Sequence, residues 1–209
     1  MSALLESKPF GPLRLRATSP EVMSLHRPEN ARHVAQFYER DELVIANVGY
    51  LARKTLEQGD SVVLIGTPSH LNAIEKLSKL ERLDLNGLRK NGRYAVLDAA
   101  ETLSALLDNR SPDKAKFETI VGAAISGAID RSANGFVFAF GEMVALLCSA
   151  DRCAAALELE RLWNALTAQH RFSLYCAYPL SAFGNEPDID TLLAICAEHS
   201  LAIPAEHPL

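Results

Sequence analysis

Five short apolar runs alternating with longer amphipathic stretches predict an α/β fold. The expected form is a three-layer αβα sandwich around a mostly parallel central sheet of five or more strands. Three observations carry this expectation. The run 61–66, SVVLIG, is continuous and rich in β-branched residues, as a strand covered on both faces requires. The stretches between the runs place apolar residues three and four apart, which is the helical repeat. Those stretches are also long enough to cross a sheet and return in parallel.

Residues 33–38 (HVAQFY) read as the first strand. Asp41 opens a helix with Val44, Val48, Leu51, Ala52 and Thr55 on one face, and Gln58-Gly59-Asp60 ends it. After the second strand, 61–66, Thr67 has the character of an N-cap and Pro68 of a first helical residue. Leu71, Ile74 and Leu77 give that helix its apolar stripe. Residues 94–98 (YAVLD) form the third strand, and Ser111-Pro112 leads into a helix over 113–129. The fourth strand is 136–140 (FVFAF). The clearest helix covers 154–169, where Leu159, Leu162, Trp163 and Leu166 recur at threes and fours. The fifth strand, 172–178 (FSLYCAY), stops at Pro179, and a last helix spans 188–199. Residues 1–31 hold Pro9, Pro12, Pro20 and Pro28 with little periodicity. They are expected to form an extended or flexible lead-in to a single domain over 32–209.

A chain of 209 residues, 48% hydrophobic and 22% charged, has the balance of one globular domain. Its net charge of −5 and the lack of a basic cluster argue against direct nucleic-acid binding, since phosphate contacts need grouped Lys and Arg. The first residues lack the unbroken apolar stretch of a signal peptide, and no run is long enough to cross a bilayer. Cytoplasmic residence, away from membranes, is the expectation. Cys148, Cys153, Cys176 and Cys196 form no CxxC pair and stand at no zinc spacing from a histidine. Free, mostly buried thiols are expected, with no metal and no cofactor.

In an open parallel sheet, ligands bind beyond the carboxyl ends of the strands. That rule selects Tyr38 and Glu39, Thr67 to His70, Asp98 to Glu101, Gly141 to Met143, and Tyr178. Duller roles stand beside several of these: Asp98 as a helix cap, Glu142 as an acid favouring a helix N-terminus, His70 as exposed surface and Tyr178 as a packed corner; outside the set, Trp163 reads as core and His33 as a structural residue opening its strand. Enzyme motifs are mostly missing. A P-loop needs GxxxxGK[ST], because backbone amides cradle the phosphates and the lysine neutralises them. Here no glycine precedes a lysine, and the corresponding turn reads GTPSHL. GxGxxG, GxSxG and HExxH are also absent from the sequence.

Several segments in order are similar to the MEDS family, a sensory domain named after methanogen and methylotroph proteins and a dichloromethane-responsive regulator. They are HVAQFY (33–38), GDSVVLIGTPSHL (59–71), GRYAVLDAAETL (92–103), PDKAKF (112–117), FGEMVALL (140–147), LELERLWNAL (157–166), FSLYCAYPLSAF (172–183) and CAEHSLAIP (196–204). The resemblance covers about residues 31–204. It implies a RecA- and KaiC-like fold without the phosphate-binding lysine, and a sensor of small organic molecules in place of a catalyst. It also implies a signalling partner in trans, a histidine kinase or other regulator, because no room remains for a fused output domain. A homodimer is a further expectation. On the motif positions Glu142 and Met143 of FGEM and Cys176 and Tyr178 of CAYP are the expected ligand pocket, and the strand-end rule adds Tyr38, Thr67, His70 and Asp98. The alternative is a divergent RecA-like nucleotide-binding enzyme, in which Asp98, Glu101 and Glu142 would do acid/base work or hold Mg²⁺.

Overall fold

The computed structural model describes residues 20–77, 83–184 and 188–205. Its core is a six-stranded sheet built from β1 (His33–Tyr38), β2 (Ser61–Gly66), β3 (Tyr94–Asp98), β6 (Val137–Gly141), β7 (Phe172–Pro179) and β8 (Leu201–Ile203). The order is β3-β2-β6-β7-β1-β8, and every pairing is parallel. Every residue of β1, β2 and β6 is buried, which explains the near-continuous apolar runs of β2 and β6, while β1 buries His33 and Gln36 as well.

Helices cover both faces. On one side lie α1 (Pro20–Met23), α2 (Asp41–Glu57), α3 (Pro68–Leu77) and α4 (Leu85–Lys90). They pack on Val62, Leu64, Phe138, Phe140, Tyr175 and Ala177. On the other lie α5 (Ala99–Leu106), α6 (Lys114–Phe117), α7 (Ala123–Arg131), α8 (Met143–Ser149), α9 (Cys153–Thr167) and α10 (Ile189–Ala197). This second core holds Ala35, Val63, Ile65, Leu174, Cys176 and Tyr178. The strand period of two decides which side chain goes to which layer. At the centre of the second layer Trp163 is wholly buried, edge-on to Phe117 with ring centroids 5.2 Å apart.

Some details depart from the sequence expectation. The helix expected over 113–129 is α6 and α7 joined by a π turn, Glu118–Gly122. Ahead of it, β4 (Leu107–Asp108) and β5 (Ser111–Pro112) form a small antiparallel ladder. Asn109 and Arg110 turn it with φ of 45° and 74°, the left-handed pair of a tight hairpin. Asp41 is the first residue of α2, with Arg40 in the cap position. In the lead-in, Val22 and Leu25 are buried in the same layer as α2, and His26 meets the Tyr50 ring edge-on at 6.1 Å. Residues 1–19 and the Leu77 side chain lie outside what is described. Among the described residues no helix is long and apolar enough to cross a membrane.

Candidate functional site

At the carboxyl end of the sheet, β2 runs into α3 on one face, while β6, its neighbour, runs into α8 on the other. Chains that part to opposite faces leave a crevice between the two strand ends. Here it is filled from within. Glu142 follows β6 and is 3% exposed. Its Oε2 accepts from the backbone N–H of Thr67 at 2.7 Å and from the Thr67 hydroxyl at 3.3 Å. Its Oε1 meets His70 Nδ1 at 2.5 Å. His70 Nε2 lies 3.3 Å from the exposed carboxylate of Asp41 at the start of α2. The Glu142 carboxylate, and more weakly Asp41, raise the His70 pKa to about 9 although burial opposes the charge. The Tyr38 ring stands 6.5 Å from the His70 ring. Burial and the two nearby carboxylates push its phenol well above the usual range. Gly66 permits this closeness, since a Cβ there would stand 3.0 Å from Glu142 Oε2.

Four of the eight expected pocket residues therefore meet: Tyr38, Thr67, His70 and Glu142. Asp98 does not join them. It caps α5, its Oδ1 accepting from the Glu101 N–H at 2.9 Å. Met143 opens α8 and is buried in the second core layer. Cys176 and Tyr178 point into that same layer, where they belong to a different cluster.

That cluster surrounds Glu160, which has no exposed surface. His33 Nε2 is 3.1 Å from its Oε2, and His199 Nε2 is 3.2 Å from its Oε1. The Tyr178 hydroxyl donates to Oε1, and the Cys176 thiol donates weakly to Oε2 at 3.7 Å. Cys176 Sγ also lies 3.4 Å from His33 Nε2. Burial pushes the Glu160 carboxyl up, yet the facing imidazoles of His199 and His33 win and hold it well below the ordinary range. Burial and the adjacent carboxylate push both the Cys176 thiol and the Tyr178 phenol well up. For His199, burial is outweighed by Glu160, and the imidazole pKa rises.

No local sequence pattern joins this cluster, because His33, Glu160, Cys176 and His199 come from four separated segments. One signal was present. Glu160 falls among Ala156, Leu159, Trp163 and Leu166 on the buried face of α9, and a carboxylate seldom occupies such a place unless it is paired. His33 and Asn164 also line an open cleft of about 690 Å³ beside the amino ends of β1 and β7, with Ser200 and Phe172.

Fold and site define a class: a parallel α/β domain whose turn after β2 has no lysine and whose leading amide is held by a carboxylate of the protein. Residues 32–199 match the family described as "MEDS: MEthanogen/methylotroph, DcmR Sensory domain". The chain belongs to this family of sensory domains. A comparison with curated proteins gives no match.

Proposed function

We propose that this sensory domain takes up a small organic ligand, or a signalling partner, at the carboxyl edge of its sheet. It passes the resulting state to a separate histidine kinase, anti-sigma-type or transcriptional partner. The observation that supports this reading is the Glu142 carboxylate on the Thr67 amide. In a nucleotide-binding α/β protein, amides at such a turn receive phosphate oxygens. Here one is satisfied internally, and the turn lacks the lysine that would neutralise a phosphate. The same contact suits switching. Asp41 starts α2, His70 sits in the first turn of α3 and Glu142 precedes α8. A ligand that competes for Glu142 or His70 would loosen three helix starts at once. It shifts the equilibrium only as far as it binds the two arrangements unequally. Cys176, Tyr178, Met143 and Asp98 stand outside this contact, so the reading rests on Tyr38, Thr67, His70 and Glu142.

A thermal-shift screen tests it. The panel sets halogenated and hydroxylated hydrocarbons and small metabolites beside ATP and GTP with Mg²⁺. A ligand that binds only the native state raises the melting temperature by mass action. The expected result is a rise with one organic class and none with nucleotide. A rise with Mg²⁺-nucleotide would instead favour the divergent nucleotide-binding enzyme.

A further inference from the structure

We propose that His33, Glu160, Cys176 and His199 form a four-ligand site for a single zinc-like transition-metal ion. Their donor atoms all lie within 4.8 Å of one another. Ligands at about 2.0–2.3 Å from a tetrahedral ion stand roughly 3.3–3.8 Å apart. The contacts here are 3.1 Å (His33 to Glu160), 3.2 Å (His199 to Glu160), 3.4 Å (His33 to Cys176) and 3.7 Å (Cys176 to Glu160).

Hydrogen bonds at the far sides of the imidazoles fix how the rings are presented. The Asn164 amide donates from Nδ2 to the Glu198 carbonyl at 2.8 Å and to its carboxylate at 3.0 Å. Asn164 Oδ1 is thereby left as an acceptor, and His33 Nδ1 donates to it at 2.8 Å. His199 Nδ1 faces the Ile195 carbonyl at 2.7 Å, which can only accept. Whenever the rings are neutral, these acceptors keep the proton on Nδ1, and Nε2 then offers a lone pair to the centre. Outer-shell carbonyl and amide acceptors orient metal-bound histidines in this way. The Tyr178 hydroxyl plays the same part for the Glu160 carboxylate.

Lone pairs on two imidazoles, a carboxylate and a sulfur all converge on one buried point. Such a convergence is unfavourable until a proton or a cation joins it. His199 Nε2 is fully buried and makes no well-directed hydrogen bond, although Glu160 Oε1 is 3.2 Å away. Bound M²⁺ with thiolate, carboxylate and two neutral imidazoles gives a site of zero net charge. Coordination displaces the thiol proton and any proton shared between the imidazoles and Glu160. Thiolate and imidazole together suit zinc and exclude the oxygen-preferring magnesium and calcium. His33 lines the open cleft at the amino ends of the strands, which offers an ion a way in. The site is independent of the sensory reading of the opposite edge.

The test uses the full chain stripped with chelator and then titrated with Zn²⁺ or Co²⁺. About one equivalent is expected to bind. Co²⁺ should give a thiolate-to-metal charge-transfer band together with the intense visible bands of four-coordination. Cys176→Ser should abolish the charge-transfer band, and His199→Gln should lose stoichiometric binding, while Cys196→Ser changes neither. The wild-type spectrum alone decides if a variant fails to fold. No saturable binding, or Co²⁺ bound without the thiolate band, would overturn the proposal and leave a proton-bridged charge cluster in its place.

Discussion

His70 shows how one side chain can make the carboxyl edge respond to pH. Its pKa is raised from 6.5 to about 9 by Glu142 first and then Asp41. A raised histidine contributes stability that is complete below its unfolded value and lost as pH rises through its folded value. The stability difference between wild type and His70→Gln should thus be largest below about pH 6.5 and vanish above about 9. Denaturant melts of both proteins across this range read it directly, and a flat difference would show that the ring carries no charge. At this scale the sequence was informative where a topological rule applied. Strand-end position picked out Tyr38, Thr67, His70 and Glu142 without knowledge of their contacts. It could not separate Asp98, whose position is similar but whose carboxylate is spent on the Glu101 N–H. His33 and Glu160 were hidden for another reason. Their meeting depends on β1 lying beside β7 and beneath α9, and strand order is not written in any local pattern.

At the scale of elements, the turn between α2 and β2 is fixed by both backbone conformation and buried hydrogen bonds. Gly59 has φ of +90°, and a Cβ there would stand 3.1 Å from the Ala133 Cβ. Next to it, buried Asp60 accepts from the Ser132 hydroxyl at 2.7 Å and the Asn134 N–H at 3.0 Å, fastening the turn to the loop before β6. Gly59→Ala should cost about 1–2 kcal/mol, the price of holding an L-residue in left-handed backbone. Gly127, inside α7, has open space where its Cβ would be. Gly127→Ala should stabilise by about 0.5–1 kcal/mol. Equilibrium urea unfolding of the pair checks the contrast, and equal effects would mean that backbone conformation is not the cause. The long elements were legible because burial imposes a period: continuous in β2, threes and fours in α9. The short ones were not. α8 lies in the apolar stretch FGEMVALL, where periodicity cannot tell buried helix from buried strand. β8 has three half-buried residues at the sheet edge, too few to show any period.

For the whole molecule, the central fact is where β1 sits. Among the described residues it is the first strand, yet its two neighbours are the last two, β7 and β8. His33 pairs with Leu174, and its carbonyl also accepts from the Ser200 N–H at 2.9 Å and hydroxyl at 2.8 Å. A chain truncated after Arg171 would leave both edges of β1 bare and deprive β6 of a partner. It should show no cooperative melt, whereas the full chain should melt in one transition. Circular dichroism of the truncation beside the full chain makes the comparison.

The same topology sets an order in time. On a ribosome, β1 emerges before either neighbour, largely apolar, and must wait until β7 has been made before it can pair. Contacts so distant along the chain carry a loop-closure cost that slows folding. Until its neighbours are made, an exposed strand is a template for pairing with the wrong chain. Chaperone capture of nascent chains is therefore the expected companion of this fold. Yield should respond more to translation rate and temperature than to the stability of the finished protein.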